Sequence, residues 1–287
     1  MTLFALLLVL IAALFHATWN LLAKRVGEGG AAFVWLSGSF SAIVYAPLAV
    51  LVLVFQNPHL GLVEYVFMFG SGLLHLGYFL LLQRGYAVGD LSVVYPLARG
   101  TGPLLATVAA IILLDERPSA LALCGILLIV TGVFFITREP GSMGGPGLGK
   151  GVADGLATGG FIAAYTLWDK QAVGVLMIPP LLQDWSSNVV RTAILSPLAL
   201  RNWGKVREMW RAHKPEVLGV AVLTPLAYIL VLTALVFTPV SYVAPAREIS
   251  ILIGVLMGAS LLAEGNVRQR LLAAGAMVLG IVALALG

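Results

Sequence analysis

Long apolar runs separated by short polar stretches are the dominant pattern along this chain. No charged residue occurs within positions 1–23, 29–63, 118–137, 217–246 or 271–287. Each run approaches or exceeds the roughly 20 residues that a helix needs to cross a bilayer. The pattern predicts an all-α polytopic membrane protein with ten transmembrane helices, at 3–23, 31–54, 64–86, 92–113, 119–137, 151–170, 178–199, 215–236, 242–262 and 269–286.

The composition excludes a soluble fold. The chain is 60% hydrophobic and 10% charged, with a mean hydropathy of +1.00, whereas a soluble domain carries about 25% charged residues. The first span has no basic start and no small-residue cleavage site, so we do not expect a cleaved signal peptide. The single Cys124 lies in an apolar run and excludes an intrachain disulfide. We expect no metal, no cofactor and no nucleic-acid partner.

A glycine- and proline-rich segment divides the chain into equal halves. Residues 138–150 read REPGSMGGPGLGK, a flexible linker composition between residues 1–137 and 151–287. An offset of 149 positions matches Trp19 with Trp168, Asn20 with Asp169, Ser37 with Ser186, Ser92 with Ser241, Val94 with Val243, Pro96 with Pro245 and Asp115 with Glu264. Five spans per half is an odd number, so the second copy must enter the membrane from the opposite side. Two inverted five-helix repeats are typical of secondary transporters.

The basic residues predict the orientation. Twelve of them fall in the odd-numbered connections, against Arg117 and Lys170 in the even-numbered ones. Basic loops stay in the cytoplasm. The pattern therefore predicts a multi-pass protein of a bacterial inner membrane with both termini in the periplasm.

Three stretches resemble a known family. The segment Ala110–Ile136, AIILLDERPSALALCGILLIVTGVFFI, the segment Pro239–Gly265, and HATWNLLAKR at His16–Arg25 resemble the EamA family of the drug/metabolite transporter superfamily. The resemblance is nearest to its bacterial aromatic amino acid exporter branch. It implies a ten-helix transporter with both termini outside, rather than an enzyme, and a central cavity for amino acids, amines, sugars or drugs. The second copy departs from the first by reading AEGN where the first reads DERP.

Polar side chains inside the spans are the candidates for a substrate pathway, because in a bilayer they face the bundle interior or a wet cavity. Helical spacing selects His16, Trp19, Asn20, His75, Tyr78, Tyr95, Arg99, Tyr165, Trp168, Tyr228, Tyr242 and Arg247. Structural alternatives stay open at several positions. The histidines can bond neighbouring carbonyls, the tryptophans can belong to an interfacial belt, and Arg247 with Glu248 can be a packing ion pair.

The aromatic content of these candidates suggests the substrate. Tyrosine rings suit an amphipathic solute, and Arg99 or Arg247 suits its carboxylate, so we expect amino acids with aromatic or other hydrophobic side chains. Alternating access would produce export or facilitated exchange in a monomer or homodimer. Asp154, Asp184 and Glu248 are candidates for proton coupling, and Pro96, Gly100, Pro103 and Pro245 are candidate kinks or hinges.

Other functions also fit parts of the sequence. Drugs, amines or nucleotide sugars are alternative substrates within the same superfamily. A remote alternative is an intramembrane serine hydrolase, because Ser71 in Gly70-Ser71-Gly72 lies one helical turn before His75.

Overall fold

The computed structural model of the protein describes residues 1–26, 30–88, 91–137, 148–259 and 267–287. These residues form α-helices joined by short turns, and no strand occurs among them. The helices are α1 Leu3–Val26, α2 Gly30–Gln56, α3 Leu62–Val88, α4 Leu91–Leu113, α5 Ala120–Thr137, α6 Leu148–Gly174, α7 Pro180–Arg201, α8 Trp203–Ala212, α9 Lys214–Phe237, α10 Val240–Ala246, α11 Ile249–Ala259 and α12 Val267–Leu286.

Nine of the ten predicted spans each overlap one described helix, and the structure differs from the prediction at two places. The ninth span is divided between α10 and α11, because the chain turns at Arg247 and Glu248 directly after Pro245. The long polar connection between the seventh and eighth spans is itself a helix, α8. Of the predicted linker, residues 138–147 lie outside the described residues, and α6 already begins at Leu148.

Four described helices are long and apolar enough to cross a bilayer. They are α1, α2, the Leu62–Leu82 part of α3, and α9. Shorter apolar helical stretches occupy Leu97–Leu113, Ala120–Phe135 and Leu272–Leu286. Large apolar side chains cover the outside of the bundle, as with Phe55 at 80% and Leu62 at 81% exposure. A surface of this kind is stable in lipid and not in water.

Helices from the first half pack on helices from the second. The pairs are α1 with α9, α2 with α7, α3 with α6, α4 with α6, and α5 with α12. The α2–α7 pair is antiparallel, since Trp35 bonds Ser196 whereas Ala42, further along α2, accepts a bond from Trp185. The hydrophobic core therefore lies between the halves and not within each half.

The contact between α5 and α12 is made by glycines, and we call it the α5–α12 seam. A Cβ atom added to Gly125 would lie 2.6 Å from the carbonyl oxygen of Gly280, and one added to Gly280 would lie 2.7 Å from that of Gly125. Further along, Gly132 faces Met277, so the two helices run antiparallel. Only glycine allows backbones to approach this closely.

The two ends of the chain lie at the same end of the bundle. Phe4 stacks on Phe237 with ring centroids 5.7 Å apart. The hydroxyl of Tyr242 donates to the carbonyl oxygen of Gly287 at 3.2 Å. Because Phe237 and Tyr242 flank one short turn, both termini come together beside it.

An acidic side chain from the first half caps α10 in the second. The carboxylate of Glu116 accepts hydrogen bonds from the backbone N–H groups of Val240 at 2.7 Å and Ser241 at 2.8 Å. The preceding residue, Asp115, occupies the acidic position shared with the resembled family and has a left-handed backbone with φ of 53°. The carboxylate that joins the two halves here is therefore that of Glu116, one residue after the acidic position of the family at Asp115.

Candidate functional site

The break between α10 and α11 puts charged residues in the middle of the bundle. Glu248 is 1% exposed, and its Oε2 lies 3.0 Å from Nε of Arg99 on α4. Its Oε1 lies 3.8 Å from Nε of Arg247, the adjacent residue. A second nitrogen of Arg99 donates to the hydroxyl of Ser250 at 3.3 Å. Two guanidinium groups share one carboxylate, so this group of side chains carries a surplus positive charge.

Aromatic rings continue from Arg247 towards α3 and α9. The guanidinium carbon of Arg247 lies 5.9 Å from the ring centroid of Tyr165. His75 stacks on Tyr165 at 4.2 Å, and Tyr228 meets the ring of His75 edge-on at 5.2 Å. Tyr78 meets Tyr165 edge-on at 5.8 Å. Four predicted pathway rings from three helices therefore lie together beside a cation.

A buried carboxylate closes the other side of these rings. The hydroxyl of Tyr228 donates to Oδ2 of Asp169 at 2.5 Å, and the amide of Gln183 donates to Oδ1 at 2.9 Å. Both Asp169 and Gln183 are fully buried. We name Arg99, Arg247, Glu248, His75, Tyr165, Tyr228 and Asp169 the central cluster. It combines positive and negative groups on opposite sides of an aromatic wall.

Asp169 is a site residue that the sequence reasoning missed. A signal was available, because the 149-residue offset places Asp169 on Asn20, which was a candidate. Its position next to Trp168 and Lys170 near a predicted helix end made it resemble an interfacial charge. Only the packing of α6 against α9 shows that its side chain points inward.

The proton-coupling candidates occupy separate places. Glu248 belongs to the central cluster. Asp184 is buried on α7 and accepts a hydrogen bond from the amide of Asn188 at 3.0 Å, while the amide oxygen of Asn188 accepts one from Arg191. Asp154 is buried on α6, one turn before Thr158.

The α1 candidates form a group of their own. The rings of His16 and Trp19 meet edge-on at 4.9 Å, and the amide of Asn20 donates to the carbonyl oxygen of His16 at 2.8 Å. The indole N–H of Trp19 is buried without a hydrogen-bond acceptor among the described residues. Both of these contacts are within α1, and neither involves a residue of the central cluster named above.

Trp168 and Tyr242 lie apart from the central cluster. The indole N–H of Trp168 donates to the carbonyl oxygen of Phe67 at 2.8 Å, and the two rings stack at 4.3 Å. These contacts fix α6 on α3. Tyr242 binds Gly287 at the end of the bundle. The side chains of Tyr95 and Pro96 lie outside the described part of the structure.

The hinge candidates differ from one another. Helix α4 continues without interruption through Gly100 and Pro103, whereas Pro245 stands directly before the break that carries Arg247 and Glu248. The one observed interruption among these positions is therefore at Pro245.

The Ser71 and His75 pair does not form a nucleophile–base arrangement. Nδ1 of His75 lies 2.9 Å from the carbonyl oxygen of Ser71 and 3.4 Å from its hydroxyl. A carbonyl oxygen only accepts hydrogen bonds, so Nδ1 carries a proton and cannot remove one from Ser71. Ser71 is also fully buried. Among the described residues, no group of His, Cys, Asp and Glu is suited to hold a metal ion.

The comparisons with known proteins assign a family to the first part of this helical bundle. The model of the EamA-like transporter family matches residues 3–138. Over these residues the chain is similar to the EamA-like transporter family, which lies within the drug/metabolite transporter superfamily. Members of this family are transporters and not enzymes.

Two further comparisons bear on the rest of the chain. No curated protein matches it. A solved structure described only as a crystal structure of a protein is 14% identical, with a TM-score of 0.77 over 98% of each chain. At this identity the likeness shows the fold alone, but it extends over both halves.

Proposed function

We propose that the protein is a secondary transporter that moves amino acids with aromatic or other hydrophobic side chains across the bacterial inner membrane. The observation that carries the proposal is the central cluster. It offers a cation, an aromatic wall and a buried carboxylate in one place, which are the partners of a carboxylate, an apolar side chain and an ammonium group. The resemblance of the sequence to the aromatic amino acid exporter branch supports the same substrate class.

Arg247 is the residue that we assign to the substrate carboxylate. Its Nε has no hydrogen-bond acceptor among the described residues, and its nitrogen atom nearest to Tyr165 lies 3.5 Å from the hydroxyl. Its ion pair with Glu248, at 3.8 Å, is too long for a hydrogen bond, and a bound carboxylate would supply the short contact that this buried donor lacks. Arg99 is held more tightly by Glu248 and serves to fix the carboxylate of Glu248 between the two cations.

We propose that the halves are inverted five-helix repeats that alternate access to the cluster. Under the 149-residue offset, α2 corresponds to α7 and α5 to α12, and both pairs are antiparallel. A two-fold axis that relates two antiparallel helices is perpendicular to them. Because these helices cross the membrane, the axis lies in the membrane plane. Rocking about such an axis exposes a shared site to each side in turn. Both termini would then face the periplasm.

The test is counterflow in proteoliposomes. Vesicles preloaded with unlabelled phenylalanine should accumulate labelled phenylalanine, while preloading with phenethylamine, which lacks the carboxylate, should not drive uptake. Arg247→Met should reduce this counterflow at least about tenfold, because one charge-assisted hydrogen bond is lost. The control is Arg117→Gln, at an exposed basic residue in the turn between α4 and α5, which should transport normally.

Two outcomes would redirect the assignment. Folded protein that exchanges no amino acid overturns it, and folded protein that exchanges phenethylamine but not phenylalanine favours the amine alternative. The same assay with an imposed pH gradient separates the coupling schemes. A rate that rises with the gradient assigns proton coupling to Asp154, Asp184 or Glu248, and an unchanged rate assigns facilitated exchange.

A further inference from the structure

Helix α8 connects two helices that enter the bundle and does not enter it itself. Helix α7 ends at Arg201 and α9 begins at Lys214, so the ten residues of α8 lie where the chain leaves the membrane-spanning part. The C-terminal end of α1 lies at the same level, because Val26 packs in one apolar cluster with Val206 of α8 and Val217 of α9. This is the end of the bundle opposite the two termini.

One face of α8 is fixed to the bundle by apolar contacts. Val206 is 2% exposed. Trp210 stacks on Phe40 of α2 with centroids 4.7 Å apart and planes inclined by 17°. At the other end of the helix, Trp203 meets Trp35 edge-on at 6.1 Å. The position of α8 is therefore set by packing, and its opposite face is held outward.

The outward face is basic. The exposed residues on and beside α8 include Arg201, Lys205, Arg207, Arg211 and Lys214, with Glu208 as the exposed acid. Within the described part of the chain, none of these five cations forms an ion pair, and Lys214 lies over the ring of Trp210. Exposed Lys24 and Arg25 at the end of α1 extend the same surface.

We propose that α8 is an interfacial helix that binds the headgroups of anionic phospholipids. Its axis then lies in the plane of the membrane surface, with the apolar face on the bundle and the basic side chains among headgroup phosphates. Trp203 is 53% exposed at the edge of the helix, where an indole ring lies at headgroup level. Charge complementarity selects the occupant, because an acidic leaflet supplies many anions at the depth that these cations reach.

This inference is separate from the substrate. It depends on the chain spanning a membrane and not on which solute is moved, so its test uses no transport. The purified full-length protein in neutral detergent is titrated with short-chain phosphatidylglycerol or with phosphatidylcholine of equal chain length. Thermal unfolding and the lipids retained in native mass spectrometry are measured in parallel.

Phosphatidylglycerol should raise the unfolding temperature and remain bound, and phosphatidylcholine should do neither. K205Q/R207Q/R211Q should weaken phosphatidylglycerol binding at least about tenfold, while the charge-conserving K205R/R207K/R211K should bind as the wild type does. Glu208→Gln is the control of opposite sign on the same helix and should bind the anionic lipid slightly more tightly. Salt at 0.5 M should abolish the selectivity, because it screens exposed charges.

Three results would overturn the proposal. The first is equal binding of both lipids by the wild type, and the second is unchanged lipid selectivity in the neutralised triple variant. The third is an equal thermal shift from inorganic phosphate, which would indicate a site for free anions. If the triple variant does not fold, the wild-type lipid comparison with and without salt decides the matter alone.

Discussion

The α5–α12 seam and the central cluster join the same two halves of the chain with opposite chemistry. The seam brings backbones together through Gly125 and Gly280, and the side chains around it, such as Ile129 and Met277, are apolar and buried. The central cluster buries two guanidinium groups and two carboxylates. Close packing alone stabilises the seam, so a bound solute would not stabilise it further. The cluster costs desolvation energy, which a solute can offset.

We infer that the seam contributes to stability alone, whereas the central cluster also takes part in the proposed transport. Close packing of small residues gives van der Waals energy at no electrostatic cost, which suits a permanent contact. Buried ion pairs seldom add net stability. Removing one partner is strongly destabilising, because it leaves the other charge buried and unpaired. We therefore expect seam variants to change folding alone, and cluster variants to change transport as well.

The largest effect is expected at Glu248, which serves two cations. Glu248→Gln leaves Arg99 and Arg247 buried without their counter-charge and should lower the free energy of unfolding by about 3–5 kcal/mol. Counterflow should be lost as well. Chemical denaturation and proteoliposome transport measure the two effects. Glu208→Gln on the exposed face of α8 removes the same charge and should change stability by less than about 0.5 kcal/mol.

The second largest effect is expected for substitutions in the α5–α12 seam, and it should be an effect on stability alone. Gly125→Val places a branched side chain where a single Cβ already lies 2.6 Å from a backbone oxygen, so α5 and α12 must separate. Overpacking of this kind costs about 1–3 kcal/mol. The unfolding temperature should fall, and the folded fraction should keep wild-type counterflow per molecule. A variant with normal stability and lost transport would make the seam part of the pathway.

Tyr228→Phe tests the negative side of the cluster. The change removes one of the two hydrogen-bond donors to the buried carboxylate of Asp169 and keeps the ring. Stability should fall by about 1–2 kcal/mol, and the apparent affinity for amino acids should change, because the ammonium group meets an altered Asp169. Tyr65→Phe on the exposed surface of α3 is the matched control. Equal behaviour of both variants would remove Asp169 from the site.

The smallest effect is expected at Gly275, on the lipid-exposed side of α12. A Cβ atom there meets nothing within 4 Å, in contrast to Gly280 on the same helix. Gly275→Ala should leave transport unchanged and raise the unfolding free energy by up to about 1 kcal/mol through helix propensity. Gly280→Ala, measured in parallel, should be destabilising. Equal effects of the two substitutions would show that the seam is not close-packed.

The positions of the helices followed from the sequence because hydrophobic runs must match the thickness of a bilayer. Pro245 was a predicted kink, and the break follows it. Helix α8 was not predicted, although the spacing of Trp203, Val206 and Trp210 is that of an amphipathic helix whose apolar face packs on the bundle. Within the candidate site, helical spacing selected His75, Tyr165 and Tyr228 as pathway candidates, and the structure places their rings in contact.

The sequence did not predict which residues far apart in the chain would contact each other. Nothing in the spacing along the chain joins Arg99 to Glu248, or Asp169 to Tyr228, because such pairs depend on which helices touch. Helical periodicity orders residues within a helix and carries no information on its neighbours. For the same reason, the sequence did not show that Tyr242 lies apart from the central cluster or that Asp169 belongs to it.

The amino-acid sequence by itself determined that this chain is a bundle of membrane helices, because burial in lipid requires long apolar segments. Only the tertiary structure decided which polar groups meet. Charge pairing, ring stacking and glycine contacts act over a few ångströms, and those distances exist only after helices from the two halves have packed together.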